Sequence, residues 1–458
     1  MSTSIPDLGP RRRALILVAC SLSLLISSMD ATIVNVALPA IGRDMTASVT
    51  HLQWVVDIYT LTLASLLVLS GATADRFGRR RIFRLGLTVF AAGSLLCSLA
   101  PTVEVLIAAR GIQAVGGSML SPVALSIVTA VFTDPAERAR AIGLWGAVVG
   151  VSTAVGPLVG GVLIDALGWR SVFWVNLPIC AVAIALTYAV VPESRAATPR
   201  SIDPLGQILA IAVMFTAVFG LIEHEPLVLL ATAVALGGFI AHERRHPSPF
   251  IDLRFFRSIP FSAATLTAVC AFAGFGAFLF TMSLYLQNTR HFSAVQTGLM
   301  FLPMALCVFV ASPVSGRLVA RFGPRPSLLG AGVLMTCATV ALTAVGPATP
   351  LPVLGVVFAV FGTGFGLVNA PITNSAVSGM PLDRAGAAAA VASTSRQVGV
   401  SLGVALSGLL GGASLWWATA GFAAVVVILA LVSTGARAER SRERIAPLLA
   451  PKEAADVH

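Results

Sequence analysis

Charge is what this 458-residue chain has least of. Asp, Glu, Lys and Arg make up 11% of it, against roughly 25% in an ordinary soluble domain. So few charges cannot build a polar shell, and a mean hydropathy of +0.90 excludes a secreted, disordered or ordinary cytosolic protein in favour of a polytopic membrane protein. Lysine is nearly absent, one against 29 arginines, a coding bias without chemical content. The six cysteines, Cys20, Cys97, Cys180, Cys270, Cys307 and Cys337, fall singly inside apolar runs with no CxxC. That excludes a disulfide framework and leaves packing as their role. The six histidines lie in or near loops or at the C-terminus, so no metal cluster is expected within the membrane.

What the chain does have is long apolar runs. Cutting at charges and Gly/Pro clusters, with roughly 20 residues needed per crossing, gives fourteen segments between residues 14 and 434. Between Pro326 and Leu382 there is no charge at all. Arg11-Arg12-Arg13 before an apolar run imitates a signal peptide. Asp30 interrupts that run and thirteen further spans follow, so it reads as an uncleaved first helix. An even count puts both termini on one side. On that count 25 of the 30 basic residues lie on one face; Arg43, Arg170 and Arg290 lie on the other, and Arg110 and Arg396 within or near the membrane. The positive-inside rule makes both termini cytoplasmic. The net charge of +10 is therefore topological and no nucleic-acid partner is expected.

Ser70-Gly71-Ala72-Thr73-Ala74-Asp75-Arg76-Phe77-Gly78-Arg79-Arg80 recurs as Ser315-Gly316-Arg317-Leu318-Val319-Ala320-Arg321-Phe322-Gly323-Pro324-Arg325, six identities in eleven at an offset of 245. The same offset carries helix starts onto helix starts, which indicates duplication. The expected organisation is a tail at 1–13, a six-helix bundle at 14–191 and a linker with two extra spans at 192–258. A second six-helix bundle at 259–435 and a tail at 436–458 follow. Parallel six-helix repeats are a transporter architecture with the substrate site between the halves.

Carboxylates inside membrane helices cost roughly 2.5 to 3.5 kcal/mol each on insertion scales, so Asp30 and Asp57 need a reason. Counting helix rise from the outer ends puts Asp30, Asp57 and Arg110 at a common depth of roughly 8 to 12 Å, where they can meet. Such a cluster can carry a proton, or it can be a static salt bridge that fixes helix packing. Gly71, Asp75, Arg76, Gly78, Arg79 and Arg80 form a short cytoplasmic loop in which Asp75 can pair with an arginine or face a helix N-terminus; simple basic anchoring is the plainer use. Gly156, Pro157, Gly160 and Gly161 make one helix unusually small and bendable, as a moving interface or a close static contact requires. Phe272, Phe275, Leu279 and Met282 fall at helical spacing, ordinarily a packing stripe and alternatively a cavity wall. Arg396 has no membrane acid in its own half.

With these residues together, the sequence resembles the major facilitator superfamily, in particular its fourteen-span drug/proton antiporters. Met29-Asp30-Ala31-Thr32-Ile33-Val34-Asn35-Val36-Ala37-Leu38-Pro39 is similar to that family's first-helix signature, and Gly71 to Arg80 to the superfamily's loop between helices 2 and 3, with Thr73 where leucine is common. Arg110 and Gln113 match the fourth-helix motif, with Ala114 in place of its glycine. Gly156-Pro157 and Gly160-Gly161 resemble the antiporter motif of helix 5, with Ser152 at its first glycine. Gly168-Trp169-Arg170 through Asn176-Leu177-Pro178 is also typical.

The resemblance implies an all-α multi-pass protein of a bacterial cytoplasmic membrane with no cofactor. It would be a monomer that exports amphipathic drugs, antibiotics or toxins against proton entry. Asp30, Asp57 and Arg110 would couple protons. Asn35, Tyr59, Gln113, Phe272, Phe275 and Met282 would be candidates for the substrate cavity. A proton-coupled symporter importing a metabolite uses the same fold. An enzyme would need a catalytic constellation, which the sequence lacks.

Overall fold

The computed structural model describes residues 8–196, 203–246, 249–378, 380, 382–435, 437–441 and 444; the remaining parts of the two tails and of the 192–258 linker lie outside the described residues. Fifteen α-helices occupy the described residues: α1 Pro10–Asp44, α2 Val49–Phe77, α3 Arg79–Leu99, α4 Val103–Val131, α5 Pro135–Leu167, α6 Ser171–Trp174, α7 Asn176–Val190, α8 Pro204–Ile222, α9 Pro226–Arg245, α10 Ile259–Leu284, α11 Ala294–Phe322, α12 Pro324–Leu342, α13 Leu351–Val377, α14 Leu382–Leu409 and α15 Ala413–Val432. A π-helical turn, Tyr285–Thr289, extends α10. Among the described residues twelve helical spans are long and apolar enough to cross a bilayer, or thirteen with the bent α5. The sequence count's remaining segment, α14, is 28 residues long. Its Ser393-Thr394-Ser395-Arg396-Gln397 run keeps it below the apolarity of the others.

The helices begin and end where their chemistry requires. Ser48 and Asp134 accept the backbone amides of His51 and Glu137 at 3.2 and 2.8 Å, filling orphan donors at the starts of α2 and α5. Gly78 and Gly323 hold φ of 112° and 76°, where a side chain is strained. They let α2 turn into α3 and α11 into α12 with a single residue between. Val49 and Ala294, Phe77 and Phe322, and Gly78 and Gly323 are each 245 residues apart. The repeat seen in sequence is thus a repeat of helix boundaries.

The chain forms two compact units. The first comprises residues 1–202 with 279–302; the second comprises 203–278 with 303–458. Contacts therefore assign the α8–α9 pair to the second unit, and the end of α10 and start of α11 to the first. In the first unit glycines bring α3 and α4 into backbone contact: a Cβ on Gly93 would stand 2.5 Å from the backbone of Gln113, and one on Gly86 3.1 Å from the Gly116 carbonyl. In the second unit Gly332 plays this part against Val427 of α15 and Gly364 against Met335 of α12. Close approach of this kind replaces the hydrophobic drive that lipid does not supply.

α8 and α9 form an antiparallel hairpin. Leu227, Val234 and Leu230 of α9 are 75%, 71% and 64% exposed, an apolar face suited to lipid. Asp203 caps α8 through the Gly206 amide at 2.9 Å and reaches His242 near the end of α9, 2.9 Å away. Burial pushes the Asp203 carboxyl up, but the Gly206 amide and His242 outweigh it and hold the group below the usual carboxylate range.

Candidate functional site

Asp30 sits midway along α1 and is fully buried. Its Oδ2 accepts from Nη1 of Arg110, while Oδ1 accepts from Gln113 Nε2 at 2.9 Å and from Asn176 Nδ2 at 3.1 Å. Arg110 also donates from Nε to the Val55 carbonyl at 3.2 Å and from Nη1 to Gln113 Oε1. Its guanidinium lies 4.2 Å from the centre of the Tyr59 ring. Ser94 Oγ accepts from Gln113 at 2.8 Å and from Asn176 at 3.3 Å. Five helices, α1, α2, α3, α4 and α7, thus converge on one carboxylate in a space closed to solvent. Paired and hydrogen-bonded on both oxygens, the charge is tolerable there.

The equal-depth reading placed Asp30, Asp57 and Arg110 together; of these, Asp30 and Arg110 meet. Gln113 joins them as part of this network, and Tyr59 stacks on the arginine while its hydroxyl has no hydrogen-bond partner among the described residues. Asp57 is equally buried, with the Thr60 hydroxyl 3.5 Å from Oδ1. Asn35, 4% exposed, donates to the Ala31 carbonyl of its own helix. Asn176 and Ser94 were not singled out from sequence; the available signal was a polar residue inside an apolar run, which many helices carry without consequence.

At the other end of α2, the supposed loop is mostly helix: α2 runs through Phe77, and only Gly78 breaks it. Asp75 Oδ1 accepts from Arg79 Nη2 at 3.0 Å, and Arg79 Nη1 reaches the Ser126 carbonyl of α4 at 3.4 Å. The segment after α7 is laid across this joint. Ser194 accepts the Arg79 amide at 2.9 Å, Ala196 donates to the Asp75 carbonyl at 3.1 Å, and Glu193 Oε1 accepts the Arg80 amide at 3.1 Å. Arg80 Nη2 binds the Tyr188 carbonyl at 2.7 Å. Glu193 sits so close that a Cβ on Gly78 would be 2.6 Å from its Oε1. Arg76 lies 5.8 Å from the Phe77 ring centre, and Gly71 faces open space. Glu193 escaped the sequence reading because its partner is 113 residues away.

The small residues of α5 have identifiable partners. A side chain on Gly156 would strike Thr32, one on Gly160 would strike Ile33, and one on Gly161 the backbone of Ala294 and Val295. Gly298 fits against the Pro157 carbonyl in the same way. Pro157 cannot donate to Thr153, and α5 bends by 43° between Ala136–Thr153 and Val155–Leu167. Asp165 accepts the amides of Ala294 and Val295, each at 3.1 Å, capping α11. Gln287 Nε2 reaches the Val36 carbonyl of α1 at 2.8 Å. Neither Asp165 nor Gln287 was distinctive in sequence.

The aromatic stripe divides. Phe275 stacks on Phe365 of α13 with centroids 4.2 Å apart, and Phe272 meets the same ring edge-on at 5.0 Å. Phe275, Leu279 and Met282 are buried, and Met282 belongs to the first unit. Arg396 lies 5.9 Å from the Phe272 ring centre and donates to Thr373 Oγ1 at 2.6 Å.

With the helical architecture and this buried network described, comparison with known proteins is informative. The profile of the Major Facilitator Superfamily matches residues 20–404. The chain is 38% identical over 410 residues to the multidrug resistance protein Stp of Mycobacterium tuberculosis (strain CDC 1551 / Oshkosh), covering 87% of this chain and 76% of that protein. It is 35% identical over 405 residues to the tetracenomycin C resistance and export protein of Streptomyces glaucescens, with 86% and 75% covered. Among solved structures, a bacterial homolog of the human lysosomal transporter Spinster, in an inward-facing and occupied conformation, shares the fold with a TM-score of 0.70 at 16% identity, covering 96% of this chain and 99% of that one. The chain is a multi-pass membrane protein and belongs to the Major Facilitator Superfamily.

Proposed function

We propose that the chain is a proton-coupled antiporter that exports amphipathic drugs, antibiotics or other toxic small molecules from the cytoplasm by alternating access. It would do so as a monomer with fourteen membrane spans, α14 included, and both termini in the cytoplasm. The names of its relatives, resistance and export proteins, support the substrate class. The observation that carries the coupling is the fully buried Asp30 with its Arg110, Gln113 and Asn176 donors. Protonation removes the charge that gathers these donors from α4 and α7, so the network has two states that differ by one proton. α1 carries Asp30 on one side and rests on Gly156 and Gly160 of α5 through Thr32 and Ile33. A change at the carboxylate therefore reaches a helix that small residues leave free to slide. The proton gradient is the only energy source this scheme needs.

The test is transport by purified protein in liposomes under an imposed pH gradient. Substrate should move opposite to the proton flux, and dissipating the gradient should abolish accumulation. Movement in the same direction as protons would reject antiport in favour of symport.

A further inference from the structure

The hairpin topology of α8 and α9 returns the start of one helix to the end of the other, and four side chains with metal-binding chemistry gather there. Asp203 Oδ2 lies 2.9 Å from His242 Nε2 and 3.8 Å from His246 Nδ1. One ligand atom from each of these residues falls within 4.8 Å of the others. The two histidines stand four apart, the spacing that puts both imidazoles on one side of a helix end, and their rings are 5.1 Å apart.

A simple Asp–His ion pair would explain the first distance but not the fourth residue. Glu243 is only 3% exposed. Its Oε2 accepts the Ile251 amide at 2.9 Å, while Oε1 has no hydrogen-bond partner among the described residues. A Cβ built on Gly206 would stand 2.5 Å from both Glu243 Oε1 and Asp203 Oδ2, which brings that oxygen to within about 5 Å of the Asp203 carboxylate. Two carboxylates held side by side in a buried space repel each other unless a cation lies with them. Gly206 leaves open the space around which the two oxygens stand. Its amide holds Asp203 Oδ1 at 2.9 Å, the kind of orienting contact that metal ligands receive from their surroundings.

We propose that Asp203, His242, Glu243 and His246 form a site for a divalent zinc-type ion. Two imidazole nitrogens and two carboxylate oxygens suit zinc, whereas calcium or magnesium would call for oxygen donors throughout. The ion's two positive charges would neutralise both carboxylates. Four protein ligands leave no open position, so the site is structural. It would fasten the start of α8 to the end of α9 and, through the Ile251 amide, to the segment that follows.

The experiment uses tag-free full-length protein in lipid nanodiscs, stripped with a chelator and titrated with zinc chloride. Bound metal is measured by elemental analysis and binding by calorimetry; cobalt chloride is the spectroscopic probe. The parent should hold about one zinc per chain and give the intense visible cobalt absorption of a four-coordinate site. Gly206→Ala keeps every ligand but fills the space between them, and should weaken zinc binding by about tenfold or more. A His242→Ala/His246→Ala double variant, checked for a monodisperse elution profile, should lose both signals. If that variant does not fold, Gly206→Ala and Glu243→Gln carry the test alone. Less than half a zinc per parent chain at saturation, or undiminished zinc binding in the variants that fold, would overturn the site.

Discussion

Replacing Asp30 by Asn tests the buried network most directly. The substitution keeps the shape and one carbonyl oxygen, so Gln113 Nε2 and Asn176 Nδ2, now 2.9 and 3.1 Å from Oδ1, can still donate to it. What is lost is the countercharge of Arg110, whose side chain is 1% exposed and retains the Val55 carbonyl, Gln113 Oε1 and the Tyr59 and Phe173 rings. Removing one partner of a buried ion pair costs about 3–5 kcal/mol. With the two amide hydrogen bonds retained, the low end, about 3 kcal/mol, is the expected value, roughly a hundredfold in a conformational equilibrium. More important for transport, the amide cannot take up and release a proton as a carboxylate can. In liposomes, Asp30→Asn should lose accumulation driven by a pH gradient while keeping gradient-independent exchange of substrate across the bilayer. Asp30→Glu, which restores an acid, should recover part of the driven transport. Undiminished driven efflux by Asp30→Asn at parental expression would refute the reasoning.

Four further outcomes are expected. If Asp57 faces a cationic substrate, Asp57→Asn should reduce export of a charged dye by about a hundredfold more than that of a neutral drug, since a unit-charge pair about 6 Å apart at an effective dielectric of 20 is worth about 3 kcal/mol; equal losses in paired efflux assays reject this role. Asp75→Asn removes the partner of Arg79, each side chain 18% exposed, so a change of only about 0.5–1 kcal/mol is expected; it should read as slower turnover and altered cytoplasmic accessibility of introduced cysteines, and identical accessibility counts against a gate. Gly78→Ala should destabilise by about 1–3 kcal/mol because of its φ of 112° and the nearby Glu193 carboxylate, and combining it with Glu193→Ala should recover the clash but not the backbone strain, as followed by thermal unfolding. Cysteines at positions 223–225 should react with an impermeant reagent added to intact cells, while those at 76–81 and 244–245 should not; the reverse pattern overturns the assigned orientation.

Legibility in the sequence followed the range of the interaction. Helix positions, the duplication at 245 and the two membrane carboxylates could be read directly, because apolar run length and the cost of charge in lipid act on each residue separately. Gly78 and Gly323 stood out in the repeat, but that the backbone turns at each within one residue was decided by the structure, where φ is 112° and 76°. The pairing of Asp30 with Arg110 was accessible because depth along a helix is simple arithmetic. The segment of α14 was counted as a span from its length, but Ser393, Thr394, Ser395 and Arg396 leave it outside the twelve helices apolar enough to cross a bilayer among the described residues.

Only tertiary structure decided which groups share a space. Asn176 and Ser94 complete the Asp30 network from 146 and 64 residues away. Glu193 closes the α2–α3 joint from a strand of chain that follows α7, and Asp165 caps a helix 129 residues further on. Nothing in their local sequence distinguishes them from ordinary loop or helix polar residues. Asp203 and His242 are brought together by the α8–α9 turn, and the apposition of Glu243 depends on the missing side chain at Gly206. Local chemistry fixes where a charge is expensive; it takes the packed helices to supply, from distant parts of the chain, the donor or the opposite charge that makes it bearable.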